Sequence, residues 1–194
     1  AIELAAARLR SLSLEQLHRR LDQRFRILTG GARTDEPRKQ TLLALIDWSW
    51  DLLTADQRVV LARSSIFPGS FGIEAARAVC GDGDLDGWMV SDIIEDLTAK
   101  SLIQSSPNGR RYLLQTIRAY AAERFAAIAD NDAVRQRHYD HYLALAQRHG
   151  TERALWGAEQ GEHLAVLDAE IDNFDEALRW AVAQRDAEQT LALV

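Results

Sequence analysis

The chain has 194 residues, 47% of them hydrophobic and 27% charged, the balance of a soluble globular protein; disorder and collagen are excluded. No apolar run approaches the roughly 20 residues of a membrane span, and the single cysteine, Cys80, excludes an internal disulfide. The formal charge of −6 conceals blocks of opposite sign. Residues 1–40 carry nine Lys or Arg against five Asp or Glu, residues 41–100 four against ten, residues 101–129 four against one, and residues 130–194 six against thirteen. A basic surface is therefore expected only near the start and around Arg110, Arg111, Arg118 and Arg124, which confines any nucleic-acid footprint. The expected compartment is the reducing cytoplasm, and the apolar helical patterns at both ends read as a segment of a longer protein.

Ile2, Ala5, Ala6 and Leu9 fall on one helical face. Ser13 with Gln16 reads as a capping box opening a second helix, whose stripe is Leu14, Leu17, Leu21 and Phe25 and which yields to Gly30-Gly31. Residues 1–33 are thus a helical pair. The polar stretch that follows, with Pro37, is expected to be a linker over residues 34–40. Leu42, Leu45, Ile46, Trp50 and Leu53 form the stripe of a third helix, widened by Trp48 and Leu52. Thr54 and Gln57 repeat the capping-box spacing and start a fourth helix, which ends before Phe67-Pro68-Gly69.

Residues 73–80 predict a short Ala-rich helix, Gly81-Asp82-Gly83-Asp84 a solvated loop, and residues 88–101 a helix with Val90, Ile93, Ile94 and Leu97 on one face. Leu102-Ile103-Gln104-Ser105, the turn Pro107-Asn108-Gly109, and Arg110-Arg111-Tyr112-Leu113-Leu114 have the pattern of a two-stranded hairpin. Helices followed by such a wing predict a winged-helix domain over residues 41–127. Beyond it the spacing of His138, Tyr142 and Leu145, then Leu164, Leu167, Ile171, Phe174 and Leu178, predicts helical hairpins over residues 128–194. The spacing within residues 173–181 is that of a tetratricopeptide-like helix. The fold class is mostly α: a helical pair, a winged helix with a small β-hairpin, then the start of a helical repeat.

A winged helix invites duplex binding through the helix before the hairpin. That helix carries Asp92, Glu95 and Asp96, with Lys100 only at its far end, an unfavourable charge for a phosphate surface. No sequence of the phosphate-cradling form G-x-x-x-x-G-K-[ST] occurs, so the segment is not read as an enzyme. His138 and His141, three apart, find no further His or Cys to complete a metal shell and are expected as a surface pair beside Tyr139 and Tyr142. Neither a metal nor a catalytic site is predicted. Trp48, Trp50 and Trp180 lie in apolar stripes and are expected in the core.

Several motifs together carry a family resemblance. They are Leu21-Asp22-Gln23-Arg24-Phe25, Ile46-Asp47-Trp48-Ser49-Trp50-Asp51-Leu52-Leu53, Phe67-Pro68-Gly69, Ala99-Lys100-Ser101-Leu102-Ile103 and Gln115-Thr116-Ile117-Arg118-Ala119-Tyr120-Ala121. In this order they resemble the region that follows the nucleotide-binding core in NB-ARC-type signal-transduction ATPases (STAND proteins) of actinobacteria, the LuxR-family or AfsR-like transcriptional regulators. The resemblance implies that residues 1–33 end the helical domain attached to the ATPase core and that residues 128–194 begin a sensor region. ATP or ADP is then implied for the parent protein and no cofactor for this segment. The implied partners are the upstream core, the downstream sensor helices and an inducer, with DNA reached only through a separate domain and no membrane partner.

That family's winged helix commonly ends in a Met-His-Asp motif whose His touches the β-phosphate of bound ADP. Alignment on Arg118-Ala119-Tyr120-Ala121 places Leu113, Leu114 and Gln115 at those positions. Leu114 removes the imidazole, and Gln115 replaces the carboxylate with an amide that still donates a hydrogen bond. The function so implied is that of a regulatory segment, working by interdomain packing in an ATP-dependent switch that controls transcription. The alternative is a DNA-binding winged-helix transcription factor with Arg110 and Arg111 on phosphates.

Overall fold

The first turn of a helix has no use for the N–H that proline lacks, and Pro37 opens α1 (Pro37–Asp51). The expected linker therefore gives way to helix at its residues 37–40. The structure, a computed structural model, describes residues 37–185 and 187–193; the expected helical pair over residues 1–33 lies outside them. Ala44, Leu45, Ile46, Trp48 and Leu53 bury the stripe of α1 and its exit.

The capping box forms as the spacing requires. The Gln57 N–H donates to Thr54 Oγ1 at 3.2 Å and the Thr54 N–H to Gln57 Oε1 at 3.3 Å, which opens α2 (Ala55–Ser64). After α2 come β1 (Ser70–Phe71), α3 (Ile73–Cys80), α4 (Gly87–Ala99), β2 (Gln104–Ser105), β3 (Arg111–Tyr112) and α5 (Gln115–Ala126). This order, helix, strand, two helices and two strands, is that of a winged helix, with α1 and α5 flanking it.

Local chemistry marks each boundary. Asp86 caps α4 by accepting from the Trp88 and Met89 N–H groups at 2.9 and 2.8 Å. The helix ends in a Schellman motif: Ser101 takes φ 60°, its N–H reaches the Thr98 carbonyl at 2.9 Å, and the Leu102 N–H reaches that of Leu97 at 3.0 Å. In the wing, Gly109 at φ 81° follows Pro107 and Asn108. Its N–H donates to the Ser106 carbonyl, and the Ser106 N–H to that of Arg110, both at 2.9 Å, giving a three-residue hairpin turn.

The sheet has three antiparallel strands in the order β1-β3-β2, one more than the hairpin read from sequence. Tyr112 lies between Ser70 and Gln104, and Arg111 between Phe71 and Ser105. The strands are shorter than expected because Leu102 and Ile103 belong to the helix-ending turn and its exit, where their side chains are fully buried.

The helical remainder consists of α6 (Asn131–His149), α7 (Glu152–Trp156), α8 (Gln160–Ala169), α9 (Ile171–Ala183) and α10 (Ala187–Ala192). α6 packs along α3, and α9 along α6. One apolar core runs without a break from Ile46 and Val60 through Phe67, Ile94 and Leu102 to Tyr139, Tyr142, Ala177 and Ala181. A file of rings carries it across the junction. Phe71 stacks on Phe67 at 4.4 Å, Phe67 meets His138 at 5.4 Å, His138 meets Tyr142 at 4.6 Å, and Tyr142 meets Phe174 at 5.6 Å. The molecule is mostly α-helical with a winged helix joined to helical hairpins.

Candidate functional site

The residues singled out for function gather at the wing and the helix before it. α4 buries Val90, Ile94 and Leu97 and turns Trp88, Met89, Asp92, Glu95 and Asp96 outward, with Trp88 74% exposed. An aromatic and acidic face thus occupies the place where a DNA-reading helix would present donors to phosphates and bases.

The wing arginines are committed elsewhere in the chain. Arg110 places Nη1 2.6 Å from Glu170 Oε1 and donates from Nε and Nη2 to the Oγ and carbonyl of Ser70, both at 2.7 Å. Arg111 lies 2.5 Å from Glu95 Oε1 through Nη2, and its Nη1 donates to Ser105 Oγ and the Gly109 carbonyl. The other two arginines of the expected basic surface are likewise engaged. Arg118 donates to the Ser65 carbonyl at 3.2 Å, and Arg124 approaches Asp47 at 3.3 Å and lies 3.7 Å from the Tyr120 ring centre.

Glu170 ties the wing to the helical region. It is 6% exposed; its Oε2 accepts from Asn173 Nδ2 at 2.7 Å and from the Tyr142 hydroxyl at 3.2 Å, while Oε1 holds Arg110. Asn173 Nδ2 also donates to the Ser70 carbonyl at 3.0 Å. Burial, followed by the adjacent Glu170 carboxylate, pushes the Tyr142 phenol above its ordinary range, so the hydroxyl stays a donor. Glu170 raises the Arg110 guanidinium in turn. Gly69 completes the contact, because a Cβ there would stand 2.6 Å from an Asp172 carboxylate oxygen.

A second buried charge lies behind the loop at residues 81–84. Arg63, 4% exposed, donates to the Cys80 carbonyl at 2.7 Å and reaches Asp82 at 2.5 Å and Asp130 at 2.6 Å. Asp82, Gly83 and Asp84 are exposed as expected while Gly81 is buried, and Asp82 is pinned. Its Oδ1 accepts from the Leu85 and Asp84 N–H groups, and these bonds with Arg63 hold its carboxyl down to about 2. Sequence gave no sign of Arg63 or Glu170, since their partners lie up to 67 residues away.

Leu113 is buried in the core, while Leu114 and Gln115 are exposed at the entry to α5, where Leu114 is the cap residue and makes no side-chain cap. Among the three, only Gln115 carries a hydrogen-bonding side chain. These residues lack the imidazole and the carboxylate of the motif they align with and do not fit its phosphate contact.

The expected surface pair of histidines is corrected. His138 is 1% exposed between Phe67 and Tyr142, and burial lowers its pKa from 6.5 to about 3. His141 is half-buried with its ring against Tyr142, and Tyr139 and Tyr142 are both buried. Trp48 is buried as expected, and Trp50 and Trp180 pack against the core from its edge. Among the described residues, no group of three or more His, Cys, Asp or Glu is placed to hold a metal, and no helix is long and apolar enough to cross a membrane.

Comparison with known proteins gives a consistent result. Over 184 residues, 93% of this chain, it is 41% identical to proteins of Mycobacterium tuberculosis and Mycobacterium bovis named "Putative HTH-type transcriptional regulator". The chain is similar to a stretch of these regulators. It spans 20% of their length. A further relative, an "Uncharacterized protein" of Mycobacterium tuberculosis, is 35% identical over 145 residues, 73% of this chain and 37% of its own length. No family model and no solved structure matches the chain.

Proposed function

We propose that this chain is the regulatory winged-helix and helical segment of a multidomain, ATP-dependent signalling switch that controls transcription, and that it works by packing between domains. One observation carries the reading. The wing arginines are bound to carboxylates of the same chain, Arg110 to Glu170 and Arg111 to Glu95, while the helix before the wing presents acids and an exposed Trp88. Such a face repels phosphate and suits protein contact. The names of the mycobacterial relatives support a role in transcription.

In this mechanism the wing, α6 and α9 move as one body, because a buried ion pair and a continuous core join them. A ligand that favoured one docking of that body against its neighbours would shift the switch by its difference in affinity for the two states. The nucleotide requirement is assigned to the longer protein, whose binding of ATP should be absent from residues 1–194 alone. Tight ATP binding by residues 1–194 would contradict the assignment.

The winged-helix order of elements and the "HTH-type" name of the relatives favour a second reading, direct duplex binding through this winged helix. A gel-shift titration at several salt concentrations separates the two. The packing role expects no duplex affinity beyond a weak background, whereas affinity falling steeply with salt, and weakened by Arg111→Gln, would establish DNA binding.

A further inference from the structure

Most described arginines are tied to a carboxylate or a backbone carbonyl of the chain, as Arg58, Arg63, Arg77, Arg110, Arg111 and Arg137 illustrate. Arg148 and Arg153 differ. Both are exposed, neither forms an ion pair among the described residues, and both line one cleft of about 380 Å³ where the end of α6 meets α7 and α8. Thr151, Glu159 and His163 line it with them. His163 is fixed from behind, its Nδ1 lying 2.9 Å from His149 Nδ1, so that one ring donates and the other accepts.

We propose that this cleft binds a small oxyanion, a phosphate- or carboxylate-bearing molecule held by the Arg148 and Arg153 guanidinium groups. A guanidinium fork matches the paired oxygens of either group, and two forks that form no ion pair among the described residues, against the single carboxylate of Glu159, leave a site whose remaining charge an anion would balance. The volume lies within the range of small-molecule sites. The Thr151 oxygen already accepts from the Ala154 N–H at 3.2 Å, which leaves its hydroxyl hydrogen to donate. Glu159 is the one acid of the lining; it opposes a highly charged ligand and favours a small one. Burial first, then the His163 ring and the Arg148 guanidinium, hold the His149 imidazole beside the cleft below its ordinary range.

A bound oxyanion would join the end of α6 to α7. α6 also carries Tyr142, which bonds Glu170 beneath the wing. The binding stands on the cleft alone; its use as the inducer signal rests on the switch reading above.

The test titrates the full chain with inorganic phosphate and, separately, with succinate, at constant ionic strength and fixed neutral pH, following the His149 and His163 ring resonances by NMR. A saturable shift is expected with at least one probe, and which probe gives it identifies the group recognised. Arg148→Gln and Arg153→Gln, both exposed and so expected to fold, should each raise the midpoint about tenfold, the equivalent of one charge-assisted hydrogen bond. No shift with either probe, an equal shift with chloride, or unchanged midpoints in both variants overturns the proposal. None of these outcomes depends on duplex binding, so the site and the proposed function fail separately.

Discussion

Arg110, which closes the turn of the wing, and Glu170, which precedes α9, meet 60 residues apart in sequence with their side chains 2.6 Å apart and mostly buried. This pair makes the wing part of the helical region. In a free winged helix the same arginine would be available to phosphate; here, releasing it would leave the buried Glu170 carboxylate without its cation, with Tyr142 and Asn173 as its remaining hydrogen-bond partners among the described residues.

Glu170→Ala should therefore destabilise the protein by about 3 kcal/mol, since it strands a largely buried guanidinium. Urea unfolding measures the loss. The double variant Arg110→Met with Glu170→Leu should recover part of it, because replacing both charges removes the unpaired guanidinium while the Tyr142 hydroxyl still loses its acceptor. Additive losses in the double variant would show that the two residues do not act as a pair.

His138 should make the fold sensitive to acid. Its folded-state pKa is about 3 against 6.5 for an ordinary imidazole, so below about 6.5 the unfolded chain binds a proton that the folded chain refuses. The contribution is whole above that pH and is lost as pH falls towards 3, at up to about 1.4 kcal/mol per unit. In His138→Leu the slope of stability between these limits should become shallower by that amount, whatever the variant's stability at neutral pH. A parallel slope in variant and parent would count against the assignment.

The parts of the fold that were legible in the sequence are those fixed by neighbours along the chain. Thr54 and Gln57 stand three apart and cap α2, and Pro107-Asn108-Gly109 encodes its own turn. Strand β1 was missed because two residues between Gly69 and Gly72 show no periodicity, and what makes them a strand is their pairing with Arg111 and Tyr112. The same limit hid Glu170 and Arg63. His138 did carry a signal, its place on the stripe with Tyr142, but a polar residue type beside His141 suggested the surface. The acidic character of α4 was legible directly from Asp92, Glu95 and Asp96, which the structure leaves outward.

Trp48 and Trp88 should behave oppositely. Trp48 is 5% exposed, and Trp48→Ala should cost about 3 kcal/mol or more through the cavity it leaves. Trp88 touches mainly Arg77, whose guanidinium carbon lies 4.4 Å from its ring centre, an exposed contact worth about 0.5–1 kcal/mol. Trp88→Ala should therefore leave the urea midpoint almost unchanged. A loss comparable with that of Trp48 would mean that the outward face of α4 is covered within this chain and not presented to a partner.

Cys80 offers a probe of how far the joined core opens. Its thiol is fully buried, lies 3.7 Å from Ser64 Oγ, and is pushed by burial from 9.0 up to about 11. The thiolate is the reactive form, so in the folded state an alkylating reagent meets neither access nor nucleophile at neutral pH. Labelling should be slower than in the unfolded chain by a factor on the order of 1,000 or more, and its rate should rise with urea along the global unfolding curve. Cys80 ends α3, against which α6 packs, so labelling through a smaller opening, with weak dependence on urea, would mean that α6 lifts away from the winged helix while the rest stays folded. The shared core of Phe67, His138 and Tyr142 argues for the cooperative outcome, because lifting α6 would expose that whole file of rings at once.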